Sequence, residues 1–218
     1  MHTVNIFKNI IPIIIAATAF YGCSRKHTSK TNVAISEITF KQDSLAFELC
    51  KMYGFDQGIR DSKLTFNKKE LMPKVDSISF ANLVNFVTKN GYPTETLLGK
   101  RNIKQECVES AAVAILLHNP HRLVNEKVYF DLFLKEVKKG NIDSNFFASV
   151  LDKYYWINSP NKKKRKVFYG SEFGKPCIQT KEATNKARIE IGLLPLKEEE
   201  FIDCGQEELN MPKKQIAY

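Results

Sequence analysis

Apolar residues recur at helical spacing through most of the chain. Leu45, Leu49, Met52 and Ile59 form one stripe, with Asp43 or Ser44 placed to cap a helix that starts there. "SISFANLVNFVTKNG" repeats the pattern through Phe80, Leu83, Val84 and Val87, with Gly91 just past the end. "GYPTETLLG" reads as a turn-rich connector. "IKQECVESAAVAILLHNP" then predicts a helix, apolar at Cys107, Ala111, Ala112, Ile115 and Leu116 and stopped by Pro120. Two more follow: "VNEKVYFDLFLKEVKKG", closed by Gly140, and "DSNFFASVLDKYYWIN", opened by Asp143.

The rhythm breaks at "KVFYGSEFGKPCIQT", where two β-prone runs flank a glycine turn and predict a hairpin. "ATNKARIEIGLLPL" returns to helix, ended by Gly192 and Pro195. No repeat at solenoid spacing is visible, although the successive helix pairs leave solenoid-like packing open. The expectation is a single mainly α domain over 41–210, of about five to seven helices, with a small C-terminal β-hairpin.

The N-terminus does not fit this pattern. Lys8 precedes the apolar run "IIPIIIAATAF", which is shorter than the ~20 residues that cross a bilayer and has the size of a secretory signal. Phe20 spoils an ordinary small-x-small cleavage site, whereas Gly22-Cys23 resembles the junction of a bacterial lipoprotein signal. The expected organisation is a signal peptide over 1–22, lipidation at Cys23 and a flexible tether over 23–40. The alternatives are an uncleaved anchor or an ordinary secreted protein with a free cysteine. Localisation follows: the cell envelope, lipid-anchored, at the outer membrane facing the periplasm.

That address changes the meaning of the charge. The 218-residue chain has a formal net charge of +9, of which the signal carries only Lys8. Behind a secretory signal a basic balance points away from nucleic acid and toward anionic lipid or wall polymer. "NKKKRK" is the densest run, so Lys162, Lys163, Lys164, Arg165 and Lys166 are the expected contact, or else a solvated loop. Cys50, Cys107, Cys177 and Cys204 permit two disulfides in any of three pairings, with Cys177–Cys204 able to close across the C-terminal fold. Four free buried thiols are the competing reading.

Candidate chemistry comes from polar residues on apolar faces. At about 100° per residue with Met52 at zero, Leu45, Leu49 and Ile59 fall near 20°, 60° and −20°. Asp56 lands near 40°, inside that stripe, with Arg60 one turn on as its natural partner. A carboxylate aimed at a core must be paired, be hydrogen-bonded or line a cleft. His118 lies on the apolar face of its helix, at the end where imidazolium is favoured.

Pro120 denies His118 and His121 the helical register of a metal pair, and no metal is expected. Cys107 stands about 16 Å of helix from His118, too far for a nucleophile–base pair. The chain holds no Gly-rich phosphate loop, G-x-S-x-G elbow or H-E-x-x-H, and no cofactor is expected.

In motif order the chain resembles a bacterial domain family of unknown function, over about residues 45 to 200. Members carry Asp-Gln-x-x-Arg, Gly-Trp-Pro, Gln-His-Ala-Asp, Asp-Arg, Gln-x-Tyr-Gly-Thr-Gln and Gly-Leu-Pro-Pro-Leu. Here "FDQGIR" keeps Asp56, Gln57 and Arg60; "NGYP" has Tyr92 for Trp. His118 stands in "LHNP", without the Gln and Asp. Asp152 is followed by Lys153 instead of Arg. "VFYGSE" keeps Tyr169 and Gly170 but has Val167 and Glu172 for the two glutamines, and "IGLLPL" fits the tail.

The resemblance implies no reaction. It marks Asp56, His118 and Asp152 as acid/base candidates and Gln57, Arg60 and Tyr169 as binding candidates. With no recognisable nucleophile, altered family positions and a basic loop, the chain reads as a binding or interaction module. A hydrolase-like enzyme is the alternative. His118 and Tyr169 are expected to line one cleft with the Asp56–Arg60 pair.

Overall fold

A computed structural model describes residues 30–205. The expected signal peptide and lipidation position, Cys23, lie outside the described residues, as does the start of the expected tether. The described chain is mainly helical and forms one domain. Its helices are α1 (Lys30–Gly58), α2 (Lys68–Asn90), α3 (Glu95–Leu98), α4 (Glu106–His118), α5 (Pro120–Asn125), α6 (Lys127–Lys138), α7 (Ser144–Asn158) and α8 (Lys181–Glu190). Single 3-10 turns cover Ile178–Thr180 and Glu198–Glu200.

Two helices are longer than their apolar stripes predict. α1 begins at Lys30 instead of Asp43, so the end of the expected tether is helical. No glycine or proline interrupts 30–53, and nothing in that stretch halts propagation. Asp43 does not cap; its carboxylate takes the Arg101 guanidinium at 2.7 Å and the Asn102 side-chain amide at 2.7 Å. α2 likewise starts at Lys68 and contains Pro73.

The number of helices exceeds the expectation because two are short. α3 is one turn capped by Thr94, whose hydroxyl accepts the Leu97 amide. Pro120 ends α4 as predicted, then opens α5, where its missing N–H costs nothing. Asp143 caps α7, accepting the Phe146 amide at 2.9 Å. Gly91, Gly140 and Gly192 all take positive φ after their helices.

No sheet is present over 166–180 among the described residues. Among them that segment makes only isolated bridges, Val167 to Pro176 and Cys177 to Ile202. The backbone amides a partner strand would have used go instead to the Asp152 carboxylate on α7.

α1 packs chiefly along α4, with α2 against both and α5 against α7. The core they enclose includes Leu49, Phe80, Leu83, Val108, Ile115, Leu116, Leu123, Phe133, Phe147 and Leu151. Two disulfides pin it: Cys50–Cys107 joins α1 to α4, and Cys177–Cys204 closes the C-terminal segment. No described helix is long and apolar enough to cross a membrane.

Candidate functional site

The last turn of α1 carries the first member. Leu45, Leu49, Met52 and Ile59 are all buried, and Asp56, in the middle of their stripe, is completely so. Its carboxylate is met from three sides. Gln57 Nε2 donates at 2.8 Å, His118 Nδ1 lies 2.9 and 3.2 Å from the two oxygens, and an Arg60 nitrogen is 3.5 Å away. Such a set of donors is what a buried carboxylate requires to remain charged.

Arg60 is shared. Its Nη1 donates to the Asp56 carbonyl, and its Nη2 bonds the Asp76 carboxylate of α2 at 2.5 Å. The expected Asp56–Arg60 pair therefore exists, but its shorter side-chain bond goes to a residue the sequence reading missed. A signal was present: Asp76 lies four residues before Phe80 and seven before Leu83, on the stripe that buries α2.

His118 ends α4, opposite the end of α1. With Nδ1 against a carboxylate, the assigned tautomer places the proton there, and Nε2 is the nitrogen left for solvent or a ligand. The ring is 22% exposed, Arg60 18% and Asp76 15%, so the group reaches the surface through these three while Asp56 stays dry.

One further cation borders it. Lys153 of α7, in the position where the resembled family has arginine, is half-buried in the field of Arg60 and Asp76. Burial lowers its pKa below the ordinary lysine value, Arg60 pushes the same way, and Asp76 opposes. His121, exposed at the start of α5, is held below the ordinary imidazole value by desolvation and by the adjacent Arg122 guanidinium, with Glu126 and Asp76 opposing.

Asp152 and Tyr169 serve a different cluster. One Asp152 oxygen accepts the Phe168 and Tyr169 amides at 2.8 and 2.7 Å, and the other accepts the Ser171 amide at 3.0 Å. Burial pushes its pKa up to about 6 against the pull of these amides. Tyr169 is 1% exposed, its ring edge-on to Phe168 inside the core. Arg188 of α8 bonds the Tyr169 and Gly170 carbonyls. The amide bonds make Asp152 the residue that holds the 167–171 backbone in place. The wholly buried Tyr169 ring offers a ligand no open face.

The basic run is only partly free. Lys162 bonds the Ile157 carbonyl at the end of α7, Arg165 stacks 3.5 Å from the Trp156 ring centroid, and Lys166 is buried. Lys163 and Lys164 remain fully exposed.

Asp56, Asp76 and His118 each bring one ligand atom within 4.8 Å of the others, a spacing that suits a divalent cation. The expectation of no metal weighed only His118 with His121 and did not foresee this triad. Arg60 nevertheless supplies a positive charge between the two carboxylates, where a metal's charge would otherwise fall. Compared with known proteins, the chain matches no family model, no curated protein and no solved structure.

Proposed function

We propose that this is a lipid-anchored protein of the bacterial cell envelope that binds an anionic group at the Asp56–His118–Arg60–Asp76 site. The carrying observation is a charge mismatch. The two carboxylates are already engaged by Arg60, His118 and Gln57, which leaves the half-buried Lys153 ammonium with only a share of Asp76 to face it. A carboxylate or phosphate on the ligand would supply the missing countercharge, and His118 in its imidazolium form would donate to it from Nε2. The resemblance to the family of unknown function adds that Gln57, Arg60 and His118 occupy matching motif positions.

The address rests on the Gly22-Cys23 junction and is supported by the two disulfides, which persist in oxidising compartments. Cys23→Ser should move the protein from the membrane to the soluble fraction. An intact mass showing an unmodified Cys23 in the wild type would overturn the anchor.

For the site, inorganic phosphate and acetate are titrated against ¹⁵N-histidine-labelled protein. Both should shift the His118 resonances saturably, and Lys153→Gln should weaken the shift. If neither anion moves His118, the anionic reading fails.

One observation favours a second reading. A buried carboxylate on Nδ1 of a partly exposed histidine is the arrangement of a general base. In a hydrolase-like enzyme of this kind Asp56 would position His118, and a bound water would be the nucleophile.

A further inference from the structure

α1 has two apolar faces, and only one of them is used by the core. Leu45, Leu49 and Met52 turn inward, while Phe40, Phe47 and Phe55 face out, 76%, 65% and 46% exposed. The three rings are spaced by seven and eight residues, about two helical turns each, and so stand in one line along the helix. Lys51 lies on that line, its ammonium 5.1 Å from the Phe47 ring centroid. The line borders an open groove of about 450 Å³ between α1 and α2, lined by Met52, Phe55, Glu48, Lys51, Asn82 and Asn85. Ile78 of α2 adds an exposed side chain, at 50%. Aromatic rings grouped with a lysine on one helix face are a contact surface lacking its partner.

We infer that this face lies on the bilayer that holds the anchor. Phe40, Phe47 and Phe55 enter the headgroup–acyl boundary, and Lys51 meets anionic headgroups. The inference rests on the lipidation reading above. α1 begins seven residues after Cys23, which even fully extended span only ~25 Å, so α1 is the element the anchor holds nearest the membrane. Arg25, Lys26 and Lys30 lie at or within that span, the charge that suits an anionic surface. The other basic segment has fewer free groups to offer, because Lys162, Arg165 and Lys166 are engaged by the fold itself.

The test uses the full chain with Cys23→Ser, so that any binding belongs to the helix face and not to the lipid. Vesicles of phosphatidylethanolamine and phosphatidylglycerol are the probe, with phosphatidylcholine vesicles for comparison. Trp156 is the sole tryptophan, so Phe47→Trp in a Trp156→Phe background reports on the face alone. Its emission should shift to the blue with the anionic vesicles and less with phosphatidylcholine. Phe40→Ser with Phe47→Ser should lower vesicle partitioning by about tenfold or more, with thermal unfolding unchanged because both rings are exposed.

Emission from the Phe47→Trp reporter that vesicles leave unmoved overturns the inference, as does a double variant that partitions like its parent. A concentration-dependent dimer dissolved by the same double substitution overturns it too and makes the face a contact between copies. Mass analysis of the wild type keeps the two readings apart. An unlipidated Cys23 with a responsive reporter sinks only the anchor, and a lipidated Cys23 with a silent reporter sinks only the docking face.

Discussion

Replacing Arg60 by Met tests whether the charged network holds the ends of α1 and α2 together. The substitution keeps the aliphatic length and removes the guanidinium, which bonds Asp76 and the Asp56 carbonyl and lies 3.5 Å from the Asp56 carboxylate. Asp56 keeps Gln57 and His118, but Asp76 loses the charge facing it. All three side chains are less than one-fifth exposed, so solvent screens the loss only weakly. Leaving a buried partner uncompensated costs about 3–5 kcal/mol. With a urea m-value of about 2 kcal/mol per molar, the unfolding midpoint should fall by roughly 2 M at unchanged m.

Adding Asp76→Leu should then recover more than half of the loss, because no stranded carboxylate remains. The assay is equilibrium urea unfolding followed by far-ultraviolet circular dichroism at pH 7, disulfides oxidised. An Arg60→Met loss under about 1 kcal/mol would refute the reasoning. So would a double variant whose loss equals the sum of the two single losses, since coupled partners cannot be additive.

Three other outcomes follow from the same structure. Paired Cys→Ser replacement at Cys177 and Cys204 should destabilise by about 3.5 kcal/mol and at Cys50 and Cys107 by about 4 kcal/mol, from closed loops of 27 and 57 residues; four free thiols in the denatured, unreduced wild type would remove both bridges. Because burial raises Asp152 to about 6 from 3.8, the folded chain retains a proton that the unfolded chain has released. Its contribution is therefore whole below about pH 4 and lost as pH climbs through 6, a change of about 3 kcal/mol that pH-dependent urea unfolding should show and Asp152→Asn should remove. Gly170→Ala should destabilise by about 1–3 kcal/mol, since φ is +72° and an added Cβ would meet Leu196 at 2.8 Å and Pro176 at 3.0 Å; unchanged thermal unfolding would count against the packing argument.

The helices were legible because their burial is periodic. Asp56 was found by angle alone, and its partner His118 by its place on the apolar face of α4. The start of α1 was misread because residues 36–41 are exposed on every side, so helix persists there without a stripe to announce it. The 166–180 segment was harder to read for another reason. Its alternation of Val167, Phe168 and Tyr169 has strand propensity, but propensity does not reveal that a carboxylate sixteen residues upstream will take the amides. Asp76 escaped notice because charge on a buried stripe was sought on α1 and α4 and not on α2.

The 167–171 segment also shows where tolerance to substitution lies. Asp152 takes three of its amides from the preceding helix, and from the following one Thr184 binds the Phe168 carbonyl and Arg188 those of Tyr169 and Gly170. Each of these bonds joins a helix side chain to loop backbone, so it is indifferent to which side chains the loop itself carries. A library randomised at Asp152, Thr184 or Arg188 should therefore retain few folded members. The path of this loop is encoded outside it, in three residues on two helices.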